Sequence, residues 1–420
     1  MKAEPTHALS VKANMMWNAA GSFTYLLCQW LITVLVVRLS TGYDAAGILA
    51  LGMAVSNLIT PIGNYKIRPF QVSDTKEEYS HGQYIALRIA TTGIAGLLMI
   101  AYAVLTCPIE SLAPILIYCL YSLGPIFSDV LQGVAQRFDR MDIVGKALAF
   151  RGVISLASFS LVLGLSNSLT SALTAMTLLT FAEIACYEIP RTRSIAGAIS
   201  PDFTLSPMMS LVKTCFPAVV ALFFASAVSS IPRQILGAEY SPELLGIYAS
   251  VATPVLIVQM GVQWIYSPLL GSFATCFSSG NKTGFSKLFI LVSAALFGIA
   301  ILATLFFTFF GDPILQVVYG KAIPHANELL VPLVICTILT SFIWFTSDLL
   351  IVVRDMTGNF LAYLIAFIVC LVTVTPFLNI WQANGVSFSM IASYAAASLF
   401  SIFRLIRIVP TTSSPRENER

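Results

Sequence analysis

The stretch SSIPRQILGAEYSPELLGIYASVATP (residues 229–254) repeats in outline RLSTGYDAAGILALGMAVSNLITP (residues 38–61). In each, an arginine closes an apolar run and a short turn follows. An acid then opens the next apolar run, with a glycine one helical turn beyond it. Arg38 precedes Asp44 and Gly47, and Arg233 precedes Glu243 and Gly246. The two copies begin comparable halves of the chain, an arrangement typical of membrane carriers built from two related halves.

Composition agrees with a membrane setting. Of the 420 residues 57% are hydrophobic and only 10% charged, which excludes an ordinary soluble domain. The first residues are not a cleavable leader, because Lys2 and Glu4 stand in a polar stretch and the apolar run from Met15 is too long. The eight cysteines form no CxxC pair and none neighbours a histidine, so free thiols are expected, without a disulfide framework or a metal site.

A helix needs about 20 residues to cross the hydrocarbon core. Twelve such runs can be placed, near 15–38, 45–67, 84–107, 112–134, 143–165, 168–190, 208–231, 244–270, 287–310, 329–351, 358–380 and 384–406. The expected fold is therefore an all-α polytopic membrane protein, with twelve transmembrane helices in two six-helix lobes around a central cavity. The lobes are expected at 1–190 and 206–407, joined by a polar cytoplasmic linker at 191–205 and followed by a tail at 408–420. The loop near 311–328 is the longest on the outer side. With both termini inside, the basic residues divide twenty to three, and only Arg38, Arg233 and Lys321 fall outside. By the positive-inside rule this sets both ends in the cytoplasm.

Several spans carry polar residues at helical spacing. Span 1 has Asn18, Ser22, Tyr25, Gln29 and Thr33; span 2 has Asn57, Pro61, Asn64 and Arg68. Span 4 has Tyr118, Ser122, Pro125, Asp129, Gln132 and Gln136. Span 5 begins with Arg151, Ser155 and Ser158, span 8 ends with Gln259, Gln263 and Tyr266, and span 10 has Thr337, Ser341, Trp344 and Asp348. One such stripe is explained by interhelical hydrogen bonds worth about 0.6 kcal/mol each. Stripes on so many spans in both halves favour a hydrated interior.

Charges within a span cost about 2.5–3.5 kcal/mol on insertion scales, so they mark a cavity or a partner. Lys66, Arg88 and Lys213 read as interfacial anchors that snorkel. Arg68 and Arg151 lie on polar stripes. Arg38 leaves the stripe of span 1, turned by about 140° from Thr33, and rests on the repeat and the charge tally. Asp129, Glu183 and Asp348 are acids with basic neighbours, read as ion pairs or as proton or sodium carriers. There is no P-loop, no nucleophile–base pairing and no metal-ligand spacing.

The turn RLSTGYDAAG (38–47) and the turn SIPR with PELLGIYA (within 230–249) resemble the bacterial polysaccharide flippases of the multidrug/oligosaccharidyl-lipid/polysaccharide exporter superfamily. So do RPFQVSD (68–74) followed by Gly82 and YIALRI (84–89), and LQGVAQRFDRMDIVGKALAFRGVISL (131–156). Twelve spans, against fourteen in lipid II flippases, argue against a peptidoglycan role. The resemblance implies a non-enzymatic flippase working by alternating access in the bacterial inner membrane. Its implied cargo is an undecaprenyl-pyrophosphate-linked oligosaccharide for O-antigen, capsule or exopolysaccharide.

For that cargo Arg38, Arg68, Arg151 and Arg233 are the candidate pyrophosphate ligands, since arginine binds phosphate oxygens bidentately. Asn18, Tyr25, Gln29, Asn57, Tyr118, Gln263 and Trp344 are candidates for lining a sugar path. Asp129, Glu183 and Asp348 are candidates for ion coupling. Expected partners are the lipid-linked oligosaccharide, membrane lipids and polymerase and chain-length proteins; no cofactor, metal or nucleic acid is expected. Two alternatives stand beside this reading: a multidrug cation exporter of the same superfamily, and a membrane polysaccharide polymerase or ligase.

Overall fold

The computed structural model describes residues 8–74, 77–197, 199–320 and 322–411. Lys2, Glu4, Lys76, Lys321 and the end of the expected tail, 412–420, lie outside the described residues. Among the described residues the chain is helical and contains no strand. Eleven segments are long and apolar enough to cross a membrane, and the 25-residue helix Pro242–Tyr266 takes the twelfth place.

In chain order the helices are α1 (Val11–Leu39), α2 (Asp44–Asn64), α3 (Ile67–Ser73), α4 (His81–Thr106), α5 (Ile109–Arg137), α6 (Met141–Ser166) and α7 (Leu169–Glu183). A π-turn, Ile184–Glu188, joins α7 to α8 (Ile189–Ala196). Then come α9 (Leu205–Ile235), α10 (Pro242–Tyr266), α11 (Leu270–Ser278), α12 (Lys282–Tyr319), α13 (Ala326–Val352), α14 (Met356–Trp381) and α15 (Ala383–Thr411). Packing groups the chain into two compact units, 1–226 with 237–246, and 227–236 with 247–420.

In the first unit α1 lies against α6 at glycine. A Cβ on Gly21 would strike the backbone of Gly145, and one on Gly145 would strike the carbonyl of Trp17. Such small-residue contacts let helices in lipid approach closely and gain dispersion energy, because lipid offers no hydrophobic drive. The start of α1 is tied to the α5–α6 turn, where the Met141 N–H donates to Asn14 Oδ1 at 2.9 Å. The first part of α9 also packs here. Leu211, Cys215 and Val219 join Tyr65, Ile67, Tyr84 and Val130 in one buried cluster.

The two turns of the sequence repeat meet in this unit. A Cβ on Gly47 would overlap the carbonyl of Pro242, and one on Gly246 would overlap the carbonyl of Tyr43. Each copy therefore carries glycine at the point where its backbone touches the other.

Span 2, expected to run to 67 with Arg68 on its stripe, ends at Asn64, and the outer stretch near 311–328 also differs from expectation. The first loop contains α3, because the chain turns sharply at Tyr65 and Lys66, both left-handed with φ of 46° and 54°. The outer stretch near 311–328 is mostly helix, since α12 runs for 38 residues, about 57 Å at ~1.5 Å per residue. It continues because Leu315 and Tyr319 are buried and the Tyr319 hydroxyl donates to the Ser250 carbonyl at 2.9 Å. Gly320, with φ 71°, then ends it.

The second unit centres on aromatic rings. Phe345 lies 5.3 Å from Tyr266, 5.8 Å from Phe273 and 5.8 Å from Phe289, ring centroid to ring centroid. Along α15 the small residues Ser389, Ser393, Ala397 and Ser401 recur every fourth position and are fully buried.

The glycine contacts give the first test. Gly47→Ala and Gly246→Ala are each expected to lower stability by at least about 1–3 kcal/mol, because backbone must move. Gly93→Ala and Gly164→Ala, where a Cβ meets nothing within 4 Å, are expected to be neutral or to gain about 0.5–1 kcal/mol. Thermal melts of the four variants in detergent check this; equal melting of all four would contradict the close approach.

Candidate functional site

The polar side chains of the first unit converge on α5. The break after α2 leaves the Gly63 carbonyl without its helical partner, and Arg88 Nη1 and Thr91 Oγ1 both donate to it at 2.8 Å. Arg88 Nη2 then reaches Asp129 Oδ2 at 2.6 Å. Arg88 is 0% exposed, so it is no snorkelling anchor. The sharp turn at Tyr65 and Lys66 brings Arg68, on α3, back onto the same face of α5. There it donates to Gln136 Oε1 at 3.0 and 3.1 Å, to Gln132 Oε1 at 3.0 Å and to Asp129 Oδ1 at 3.4 Å. Two guanidinium groups thus share one carboxylate, and Arg68 and Asp129 remain partly exposed.

Gln132 continues the chain of bonds inward. Its amide nitrogen donates to Ser128 Oγ at 2.9 Å and to Glu188 Oε1 at 3.3 Å. Beyond it, Arg151 donates to Glu183 Oε2 from Nε at 3.1 Å and from Nη2 at 3.0 Å, and pairs with Glu188 Oε1 at 2.9 Å. Arg151, expected as a pyrophosphate ligand, is 1% exposed with its donors committed to protein groups. Glu188 and Arg88 are site residues that the sequence did not single out. The π-turn that aims Glu188 has no simple pattern, although Pro190 just after it is a signal.

Next to Arg151 the structure gathers three of the proposed sugar-path residues. Gln29 donates to the Tyr121 hydroxyl at 2.9 Å, Tyr118 and Tyr121 rings lie 5.6 Å apart, and Tyr25 hydrogen-bonds Tyr121 and interacts electrostatically with Arg151. Asn18 and Asn57 are exposed, and Arg38 is exposed at the last turn of α1.

The second unit holds the rest. Arg233 is half-buried, its Nε is unbonded, and among the described residues it has no ion pair. It acts electrostatically on the Tyr248 and Tyr394 phenols, and Tyr248 shares a 3.0 Å hydrogen bond with Ser387. Asp348 accepts from the Tyr266 hydroxyl at 3.0 Å and makes no ion pair among the described residues. Trp344 is half-buried and Gln263 exposed.

Twelve long helices carrying polar faces in two compact units match known structures over nearly the whole chain. The chain shares its fold with a transporter and a flippase of known structure. A multidrug resistance MATE family transporter in an inward-facing conformation superposes with a TM-score of 0.69 at 12% identity, covering 92% of this chain and 96% of that one. The lipid II flippase MurJ, in its inward closed conformation, superposes at 0.71 and 12% identity, covering 95% and 90%. In sequence, the capsular polysaccharide biosynthesis protein CapF of Staphylococcus aureus is 24% identical over 326 residues, 76% of this chain and 80% of that protein. No family model matches the chain. These two solved structures are a multidrug resistance transporter and a lipid II flippase.

The network around Asp129 generates a second test. Removing Asp129 leaves Arg88 buried without a counter-charge, a loss of about 3–5 kcal/mol. Arg68→Ala removes a partly exposed donor and leaves the Arg88–Asp129 pair intact. Asp129→Ala is therefore expected to melt well below Arg68→Ala in detergent. Similar melting of the two would show that Arg88 does not depend on Asp129.

Proposed function

We propose that the chain is a flippase for undecaprenyl-pyrophosphate-linked oligosaccharide repeat units, moving them from the cytoplasmic to the outer leaflet by alternating access. The cargo would serve O-antigen, capsule or exopolysaccharide synthesis. In this reading the protein lies in the bacterial inner membrane with both ends in the cytoplasm, and 1–190 and 206–407 are the rocking lobes. Polymerase and chain-length proteins of the same process are its proposed protein partners.

The observation that carries the reading is surplus positive charge held at the ends of apolar spans. Arg68 and Arg88 share one carboxylate, and Arg233 has no ion pair among the described residues. A buried cation without a partner is costly, and an arriving phosphate removes that cost. Arg68, partly exposed and held mainly by neutral amides, can exchange Gln132 and Gln136 for pyrophosphate oxygens without breaking the Arg88–Asp129 pair. Arg233, with the Tyr248 and Tyr394 hydroxyls in its field, offers a second anion site. Tyr25, Gln29 and Tyr118 supply the hydroxyls, amide and flat faces that sugars need. Arg38 is retained as a ligand nearer the outer leaflet. Arg151 acts from behind, holding the two glutamates. The likeness to CapF, a capsular polysaccharide biosynthesis protein, supports a surface polymer as the destination.

Asp348 favours a second reading. A half-buried carboxylate bound only to a phenol among the described residues suits a cationic cargo or coupling ion, as an exporter of cationic drugs would need. The charge balance of the arginine sites weighs against it.

Complementation of a strain lacking its own repeat-unit flippase tests the proposal. Arg68→Ala and Arg233→Ala are each expected to reduce surface polymer at least about tenfold, with lysine restoring part of it because the planar fork is lost. Expression is matched by immunoblot. Normal polymer in both alanine variants would reject these arginines as cargo ligands.

A further inference from the structure

The Arg151 group is unbalanced in the opposite sense. One guanidinium faces two carboxylates, and Arg151, Glu183 and Glu188 are 1%, 3% and 2% exposed. Glu183 bonds Arg151 through Oε2, and Glu188 through Oε1. The second oxygen of each, Glu183 Oε1 and Glu188 Oε2, is buried without a hydrogen-bond partner. With both acids ionised the group would carry one uncompensated negative charge in a dry interior, which is severely unfavourable.

The backbone is built to bring these two acids together. In a regular α-helix residues five apart point about 140° away from one another. Between Glu183 and Glu188 the helix widens into a π-turn, where the Ile189 N–H bonds the Ile184 carbonyl five residues back. The wider turn brings positions five apart close to one line, so both carboxylates meet one arginine. Pro190 gives a reason for the widening, since its ring would collide with the Cys186 carbonyl in an unbroken α-helix. π-turns of this kind are frequent at functional sites.

Among the described residues no cation other than Arg151 pairs with either glutamate. From α1 comes the Tyr25 phenol and from α5 the neutral Ser128 and Gln132, with Asp129 beyond them engaged by Arg68 and Arg88. From α6 come Arg151 and Ser155, and Ser155 is bonded to Thr180 of α7. On the π-turn itself, Tyr187 interacts with both glutamates and with Arg191 and Asp142. Asp142 is held by Arg140 and Lys146.

We propose that Glu183 and Glu188 form a binding site for one exchangeable proton, held against Arg151 on the π-turn. The proton neutralises the group and converts one of the two unbonded acceptors into a donor. Two free oxygens fall short of the six or more that a hard metal cation takes, so a proton is the fitting ligand. Gln132 joins this site to the cationic one. Its amide oxygen faces Arg68 and its amide nitrogen faces Glu188, so capture of Arg68 by an anion frees the amide that bonds Glu188. The proton site rests on the flippase reading only in what the proton drives.

Infrared difference spectra of the purified full-length protein, recorded across a pH titration, test this directly. Wild type is expected to show the C=O stretch of a protonated carboxyl near neutral pH, lost on alkalinisation. Glu183→Gln and Glu188→Gln, each leaving one acid to match one arginine, are expected to lose that band. Glu188→Asp and Asp348→Asn are expected to keep it. A wild-type titration without such a band, or a band that survives in both glutamine variants or vanishes in Asp348→Asn, would overturn the proposal. If the glutamine variants do not fold, the wild-type and Asp348→Asn spectra decide alone. The measurement uses no cargo, so a positive result beside failed transport of the sugar lipid would reject the flippase reading and leave the proton site standing.

Discussion

A charge inside a membrane-spanning bundle must be matched, either by an opposite charge in the protein or by something that binds. In the first unit the matching is deliberately incomplete at both ends of one chain of hydrogen bonds. At the Arg68 end two guanidinium groups meet one carboxylate; at the Arg151 end two carboxylates meet one guanidinium. One proton on the Glu183–Glu188 pair makes the Arg151 end neutral and leaves the positive surplus at the partly exposed Arg68 end. Gln132 keeps the two surpluses apart, with its oxygen toward the cations and its nitrogen toward the anions. Direct neutralisation of one end by the other would leave a fully paired ion cluster and nothing to attract an anion or a proton.

Two backbone irregularities shape this cluster. The break after Asn64 frees the Gly63 carbonyl for Arg88 and turns Arg68 back onto α5. The π-turn after Glu183 brings Glu188 onto Arg151. Gly21 and Gly145 bring α1 onto α6, which sets Tyr25 beside Arg151. These three departures from regular helix or ordinary side-chain bulk fall where a polar side chain is aimed inward.

The spans and the importance of the α5 stripe were legible in the sequence, because apolar length and helical periodicity are local properties. Asp129, Gln132 and Gln136 stand on one face by spacing alone, and they do face one site. The pairing was not legible. Arg88 looks like an interfacial lysine or arginine until the chain break after α2 places it under α5. Arg151 looks like a free cation until the π-turn supplies a second acid. The glycines of the repeat were visible as a pattern, but their reason is a backbone contact between segments 195 residues apart in the chain, which no local rule encodes.

The central claim is that surplus arginine charge selects an anionic, pyrophosphate-bearing lipid. It is tested most directly with purified protein in proteoliposomes, by following the leaflet of a fluorescent polyprenyl-pyrophosphate oligosaccharide and, separately, the efflux of a cationic dye. The account predicts that wild type moves the pyrophosphate lipid and leaves the dye in place, and that Arg68→Ala and Arg233→Ala lose lipid movement. Dye efflux without movement of the pyrophosphate lipid would contradict it.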